Sequence, residues 1–170
     1  MIFRLSQKLN AKIKAGTLAS LPLDENPFAD WSAWLFLVGR SHYILLTNTK
    51  TLYSTVMRGK GITDEMIFVE RALSSIREFI DADGQEGVYE RLVAPVSGSV
   101  RFAKALNRSV TGSMNDMTKH AAYYLAEDDV TPSEIGYRLN GIPMSALKHG
   151  GSTHGFPQNA FKAMVDQARS

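Results

Sequence analysis

A pair of apolar segments at residues 33–38 and 43–48 constrains the fold more than any other feature of this sequence. The first, AWLFLV, is a nearly uninterrupted apolar run, and the second, YILLTN, follows after the four residues GRSH. Short runs of aromatic and aliphatic residues separated by a turn are typical of neighbouring β-strands. The sequence therefore predicts two antiparallel strands joined tightly through Gly39.

The remaining periodic segments complete a mixed set of strands and helices. Further strands are predicted at residues 2–5, 51–57 and 99–106, and helices at residues 6–15, 63–84, 114–126, 131–140 and from 156 onward. This order does not alternate strand and helix as a parallel doubly wound sheet does. We therefore expect an α+β fold, an antiparallel sheet of four to five strands packed against about five helices. The length of 170 residues suits a single domain, residues 1–170.

Capping signals define several helix starts. Ser6 and Thr63 are predicted N-caps, and the sequence TPSE at residues 131–134 is a capping box with proline at the first helical position. The helix after Thr63 has an apolar stripe that predicts its buried face: Met66, Val69, Leu73, Ile76 and Ile80. The last helix has a similar stripe: Ala160, Phe161, Met164 and Ala168.

The composition excludes several classes of protein. The chain has no cysteine, which rules out disulfides, thiol catalysis and cysteine-bound metal. No apolar run approaches the roughly 18 residues of a membrane span, and the start lacks the pattern of a signal peptide. We expect a cytoplasmic protein that does not bind membranes. The net charge of +2 permits a polyanionic partner without requiring one.

No cofactor or metal motif stands out. The sequence lacks a P-loop, a Rossmann glycine pattern, an HExxH motif and an EF-hand loop. His149 and His154 flank the sequence GGST, where a flexible surface loop is favoured over a metal site. We therefore expect neither a cofactor nor a bound metal.

The polar stretch NRSVTGSMND at residues 107–116 is the main candidate site. Gly112 precedes Ser113, which is predicted to cap the helix at 114–126, with Asp116 three residues later. A helix start next to Arg108 could hold a phosphate or carboxylate group. The predicted ligand-binding residues are Asn107, Arg108, Ser109, Ser113, Asn115 and Asp116. A nucleotide or nucleic acid would be a partner of this kind.

The same residues also have a purely structural interpretation. Ser113 and Asp116 would then cap the helix, and Arg108 would pair with Asp116 or with a carbonyl. Under this interpretation the protein is a non-enzymatic interaction module or homodimer, which associates through a sheet edge or the C-terminal helix.

A third hypothesis is an enzyme of hydrolase type. Asp116 and His120 are four residues apart, so they lie side by side on a helix, and an aspartate can orient an imidazole for acid–base catalysis. No nucleophile-elbow motif accompanies them. This hypothesis requires that both side chains line one cleft.

Several segments resemble a known family. The sequences DWSAWLF, YILLTNTKTLYSTV, NRSVTGSMND and RLNGIPMSAL occur in this order in small bacterial and mobile-element proteins that form a domain of unknown function. The resemblance covers residues 2–147, and it implies no established activity. It supports the boundaries of the fold more than any function.

Two departures from that family concern possible chemistry. The family often resembles WHANLF where this chain has WSAWLF, so its histidine and asparagine correspond to Ser32 and Trp34. If those side chains act chemically in relatives, this chain lacks that chemistry. The stretch HGGSTHG is also longer than the usual connection before the last helix.

Overall fold

Five strands form one sheet in the order β4-β3-β2-β1-β5. The computed structural model describes residues 1–127, 129–148, 150–152 and 154–170. In these ranges the strands are β1 (Ile2–Leu5), β2 (Asp30–Val38), β3 (Ser41–Asn48), β4 (Ser54–Arg58) and β5 (Arg101–Ala103). The α-helices are α1 (Gln7–Ile13), α2 (Glu65–Ala82), α3 (Arg108–Glu127), α4 (Pro132–Asn140) and α5 (Pro157–Arg169). The predicted α+β class is confirmed.

The sheet is mixed, which corrects the prediction of an antiparallel one. β2, β3 and β4 pair antiparallel, as tight turns require, whereas β1 runs parallel to both β2 and β5. Between β1 and β2 the chain passes through α1 and a loop, and such a crossover returns it to the end where β1 began. The apolar pattern of β1 carries no information about strand direction, so the sequence could not show this.

The sheet is covered on both faces. Trp31 and Ala33 of β2 pack into a core shared with α1, α2 and α5, whereas Trp34 of β2 and Leu45 of β3 pack into a second core with α3 and α4. Successive side chains of a strand point to opposite faces. The apolar run at residues 33–38 therefore lacks polar alternation because both of its faces meet helices.

The start of α2 differs from the prediction. Asp64, not Thr63, is its N-cap, because the Asp64 carboxylate accepts a hydrogen bond from the Ile67 backbone N–H at 2.9 Å. Met66, predicted to be buried, is 79% exposed. The buried face of α2 includes two phenylalanines that the predicted stripe left out. It consists of Phe68, Ala72, Ile76, Phe79 and Ile80.

The other capping predictions agree better with the structure. The Ser6 hydroxyl accepts from the Leu9 N–H at 3.2 Å, although α1 ends at Ile13. The capping box of α4 is confirmed: the Glu134 N–H donates to the Thr131 hydroxyl, and the Thr131 N–H donates to the Glu134 carboxylate. The Thr131 hydroxyl also donates to this carboxylate. The two bonds that the carboxylate accepts, led by the backbone one, lower the pKa of the Glu134 carboxyl.

Aromatic stacking attaches α5 to the first core. The rings of Phe161 and Tyr53 stack with centroids 4.1 Å apart. The Tyr53 hydroxyl donates to Asp83 at 2.6 Å, and burial together with this bond raises the tyrosine pKa. Ala168, predicted on the apolar side of this helix, is exposed, because the buried face ends at Val165. Across the described ranges no helix has the length and apolar character that a membrane span needs.

A buried ion pair joins β1 to β2. The Arg4 and Asp30 side chains are fully buried, and two bonds of 2.8 and 2.7 Å link the guanidinium to both carboxylate oxygens. The remaining Arg4 donors reach three backbone carbonyls, those of Leu21, Pro22 and Lys104. All five guanidinium N–H groups are therefore used, which makes this pair an internal brace between strands.

α4 closes one end of the β4 edge. The Asn140 carboxamide forms two hydrogen bonds with the backbone of Ser54, accepting at 2.7 Å and donating at 2.9 Å. It thereby pairs with this edge residue as a neighbouring strand would. A Cβ atom at Gly136 would lie 2.6 Å from the Phe79 ring and 3.0 Å from the Ser54 carbonyl oxygen. Glycine is required here because α4 approaches the sheet so closely.

Replacing Arg4 with methionine tests the buried pair. The variant leaves the Asp30 carboxylate buried without its cation, so we expect a loss of about 3–5 kcal/mol in the free energy of unfolding. Urea denaturation measures this loss. As a control, Arg77→Met removes an exposed arginine 2.8 Å from Glu90, and it should cost less than about 1 kcal/mol. Equal losses in the two variants would contradict a structural role for Arg4.

Two glycine-to-alanine substitutions in helices should have opposite effects. Gly136→Ala should lower the free energy of unfolding by about 1–3 kcal/mol because the added methyl group overlaps Phe79. Gly112 in α3 has no atom within 4 Å of its virtual Cβ, so Gly112→Ala should raise it by about 0.5–1 kcal/mol. Thermal denaturation of both variants checks the sign. Stabilisation by Gly136→Ala would refute the close approach of α4.

Candidate functional site

α3 begins at Arg108, six residues before the predicted start at 114. The Asn107 side-chain oxygen accepts from the Val110 backbone N–H at 2.9 Å, so Asn107 caps this helix. The prediction that Ser113 is the cap is wrong, because Ser113 lies inside the helix and is only 7% exposed. Gly112 does not end the helix, since burial of Val110 and Met114 outweighs the low helix propensity of glycine.

Because α3 starts at Arg108, the polar stretch at residues 107–116 presents other groups to a ligand than the sequence predicted. The backbone N–H of Ser113 belongs to the helix interior, so the predicted anion site at a helix start is not formed there. Asp116 has no capping role and lies 3.8 Å from the Lys119 ammonium instead. At Ser113 and Asp116 a ligand would therefore meet side chains and not free backbone N–H groups.

One face of α3 lines a groove of about 580 Å³, which we call the α3 groove. Its opposite wall consists of residues 142–145 and His154. The wall formed by α3 consists of residues that recur at helical spacing, as a single helix face requires: Arg108, Ser109, Gly112, Ser113, Asp116, Lys119 and His120.

The groove brings together most of the predicted site residues. Four of the six predicted ligand residues line it: Arg108, Ser109, Ser113 and Asp116. His120, predicted with Asp116 as an acid–base pair, lines it as well. Asn107 and Asn115 do not belong to its walls. The juxtaposition that the enzyme hypothesis requires is therefore present, although among the described residues no hydrogen bond joins Asp116 to His120.

The charged groups of the groove differ in the contacts that they form with the rest of the protein. Arg108 is exposed, and within the described ranges its guanidinium has no hydrogen-bonding or ionic partner. The predicted pair with Asp116 is not formed, because eight residues of one helix separate the two side chains by about 12 Å along its axis. The His120 ring stacks on Tyr124 with centroids 6.5 Å apart. Arg108 is thus the cation of this groove with the most unused hydrogen-bonding capacity.

Contacts within the fold involve Asn115 and also Ser32 and Trp34, the two residues at which this chain departs from the family pattern. The Asn115 side chain accepts a hydrogen bond from the Trp34 indole N–H at 3.3 Å, on the side of α3 that faces the sheet. Ser32 is fully buried, and its hydroxyl lies 2.9 Å from that of Thr49. Neither Ser32 nor Trp34 lines the α3 groove.

Sequence reasoning did not find the second wall of the groove. Met144 and Gly155 exchange two backbone hydrogen bonds of 2.7 and 3.1 Å, and this pairing brings His154 beside α3. A Cβ at Gly155 would overlap the Leu147 carbonyl oxygen, so the close approach depends on glycine. The family-like sequence IPMSAL was the only signal, and it does not reveal the partner segment.

No metal centre is found in the described part of the chain, where no cluster of three or more potential metal ligands occurs. One member of the histidine pair considered from the sequence, His149, lies outside the described residues.

Comparison with known proteins identifies a family. No curated protein matches the chain. A family model described as a domain of unknown function (DUF6933) matches residues 2–160, which is nearly the whole chain. The match confirms the resemblance that the sequence motifs indicate, and the chain belongs to the DUF6933 family.

Proposed function

We propose that the protein binds a small phosphate-bearing ligand in the α3 groove through cationic side chains. The observation that carries this proposal is the exposed Arg108 guanidinium, which has no partner in the described ranges and lines a groove that also contains Lys119 and His120. A guanidinium presents a planar fork of donors that matches two phosphate oxygens. Arg108 is accordingly the main anchor for the anionic group.

The binding mode relies on side chains and not on a helix start. The Val110 N–H is already bonded to Asn107, and Ser113 lies inside α3. Ser109 and Ser113 line the groove together with Arg108. They add neutral hydrogen-bond donors next to the cation, as phosphate sites commonly do.

Asp116 favours a nucleotide over free phosphate as the ligand. A carboxylate in the groove repels a bare anion, but it accepts hydrogen bonds from ligand hydroxyl or amino groups. The nearby Lys119 ammonium partly offsets its charge. The groove volume of about 580 Å³ lies within the range of small-molecule sites. A nucleoside phosphate has both the anionic group and the donors that this arrangement fits.

The hydrolase hypothesis remains the second candidate because Asp116 and His120 line the same groove. In this reaction His120 would take a proton from a water molecule whose oxygen bonds to the phosphorus of an ester held by Arg108. The P–O bond to the alcohol would break, and the leaving alcohol would take the proton from His120. Release of phosphate during a binding experiment would favour this function over binding alone.

The interaction hypothesis has less structural support. Under this hypothesis Arg108 would belong to a buried network, whereas Arg108 is exposed. The backbone of Ser54 on the β4 edge is paired with Asn140, and residue 19 forms a β-bridge with Ala103 beside β5. Homodimer formation stays a prediction.

Substitution of Arg108 by alanine tests the proposed site. We expect the affinity for ADP to fall by about tenfold or more, because a charge-assisted contact is lost. The melting temperature should change little, since an exposed side chain without partners is removed. Isothermal titration calorimetry with ADP and with a short single-stranded RNA measures the affinity.

Arg40→Ala is the matched control. Arg40 is an exposed arginine in the turn between β2 and β3 and lies outside the groove, so this variant should bind as the parent does. Failure of the parent protein to bind either probe would refute the proposal. Unchanged ADP affinity in Arg108→Ala would refute it equally.

A further inference from the structure

A second recess lies at the carboxyl ends of the parallel strands β1 and β5. Its volume is about 540 Å³, and residues of β1, α1, β2 and α3 meet there with Lys104 and Ala105, which directly follow β5. The residues that the following argument uses are Ser6, Gln7, Asn10, Trp34, Lys104 and Thr111. We call it the β1–β5 recess. It shares no lining residue with the α3 groove.

The topology of the sheet makes this position a natural place for a ligand. After β1 the chain enters α1, whose Leu9 and Ile13 pack into the first core. After β5 it enters α3, whose Val110 and Met114 pack into the second core on the opposite face. Where the chain leaves adjacent parallel strands toward opposite faces, a crevice opens beyond their carboxyl ends. Ligands of open sheets commonly bind in such crevices.

Three polar groups of the recess already form hydrogen bonds within the protein. The Ser6 hydroxyl accepts from the Leu9 and Leu35 N–H groups, at 3.2 and 3.3 Å. The Trp34 indole N–H donates to Asn115, and the Thr111 hydroxyl donates to the Asn107 carbonyl at 3.1 Å. These groups shape the walls.

Three other polar groups have unused hydrogen-bonding capacity. The side chains of Gln7 and Lys104 are exposed and have no partner among the described residues. Asn10 donates to the Gly16 carbonyl at 2.8 Å, but its side-chain oxygen is buried and accepts no hydrogen bond. A buried acceptor without a donor is costly, so a rotation of the Asn10 side chain that brings this oxygen to an N–H or O–H of a ligand would be favoured.

We propose that the β1–β5 recess is a ligand site for a small organic anion that carries an apolar ring and a hydrogen-bond donor. Lys104 binds the anionic group, and the carboxamides of Gln7 and Asn10 bind the polar atoms of the ligand. Trp34 and Leu5 form the apolar wall against its ring. The two sites are independent, because the groove depends on Arg108 and the recess on Lys104.

Either a phosphate ester or a carboxylate has the required chemistry, and calorimetry distinguishes them. Adenosine monophosphate represents the first class and N-acetyltryptophan the second, with adenosine as the uncharged control. We expect at least one anionic probe to bind in the micromolar to millimolar range and adenosine to bind more weakly. Lys104→Ala should weaken this binding by about tenfold or more, whereas Lys104→Arg should retain most of it.

Further variants separate this site from the α3 groove and from general charge effects. Ala105→Phe should block the recess and remove binding without altering any charge. Arg108→Ala should leave binding to the recess unchanged. Arg101→Ala is the matched control, because Arg101 is exposed on β5 but lies outside the recess.

The proposal is overturned if neither anionic probe binds the parent protein at millimolar concentration. It is also overturned if, in the Arg108→Ala background that removes the contribution of the α3 groove, binding survives both Lys104→Ala and Ala105→Phe. Binding that is lost in Arg108→Ala but kept in Lys104→Ala would assign the ligand to the α3 groove instead, and would refute the recess while leaving the first proposal intact.

Discussion

The buried pair of Arg4 and Asp30 determines how the centre of this protein is arranged. An arginine without solvent contact is tolerated only when all its donors are paired, and here two carboxylate oxygens and three carbonyl groups meet that demand. One of those carbonyls belongs to Lys104, directly after β5. The same guanidinium therefore holds β1, β2, the loop at residues 21–22 and the end of β5 in one place.

Both proposed sites depend on this central arrangement. The end of β5 is followed by α3, and α3 separates the two recesses: Thr111 lies on the side of the β1–β5 recess, whereas Arg108 and Gly112 lie on the side of the α3 groove. The helix is fixed between them by Val110, Met114 and Met117, which are buried against the sheet. A rigid helix with two different polar flanks can present each set of side chains in a defined position.

Local signals in the sequence predicted most of the secondary structure. Apolar runs marked β1, β2 and β3, and the capping box at Thr131 marked α4 correctly. Predictions failed where tertiary packing outweighs local preference, as at Gly112, which lies within α3. The parallel pairing of β1 was also missed, because strand direction depends on a crossover whose path has no local signature.

The sequence predicted only part of the candidate site, again because long-range packing leaves no local signal. Helical spacing alone placed Asp116 beside His120, and both line the α3 groove with Arg108. The role of Asn107 as the helix cap was missed because Gly112-Ser113 offered a stronger local start signal. The wall formed by Met144 and His154 arises from pairing with Gly155, and the buried pair of Arg4 and Asp30 is equally long-range. Neither could be read from neighbouring residues.

The claim that the α3 groove binds a phosphate-bearing ligand is tested most directly by mapping the ligand on the protein. Backbone and side-chain NMR spectra recorded during titration with ADP would locate the contact residue by residue. We expect saturable shift changes to concentrate at the residues that line the groove: Arg108, Ser109, Lys119, His120 and Ser145. Changes confined to other surfaces, or no saturable change at any residue, would contradict it.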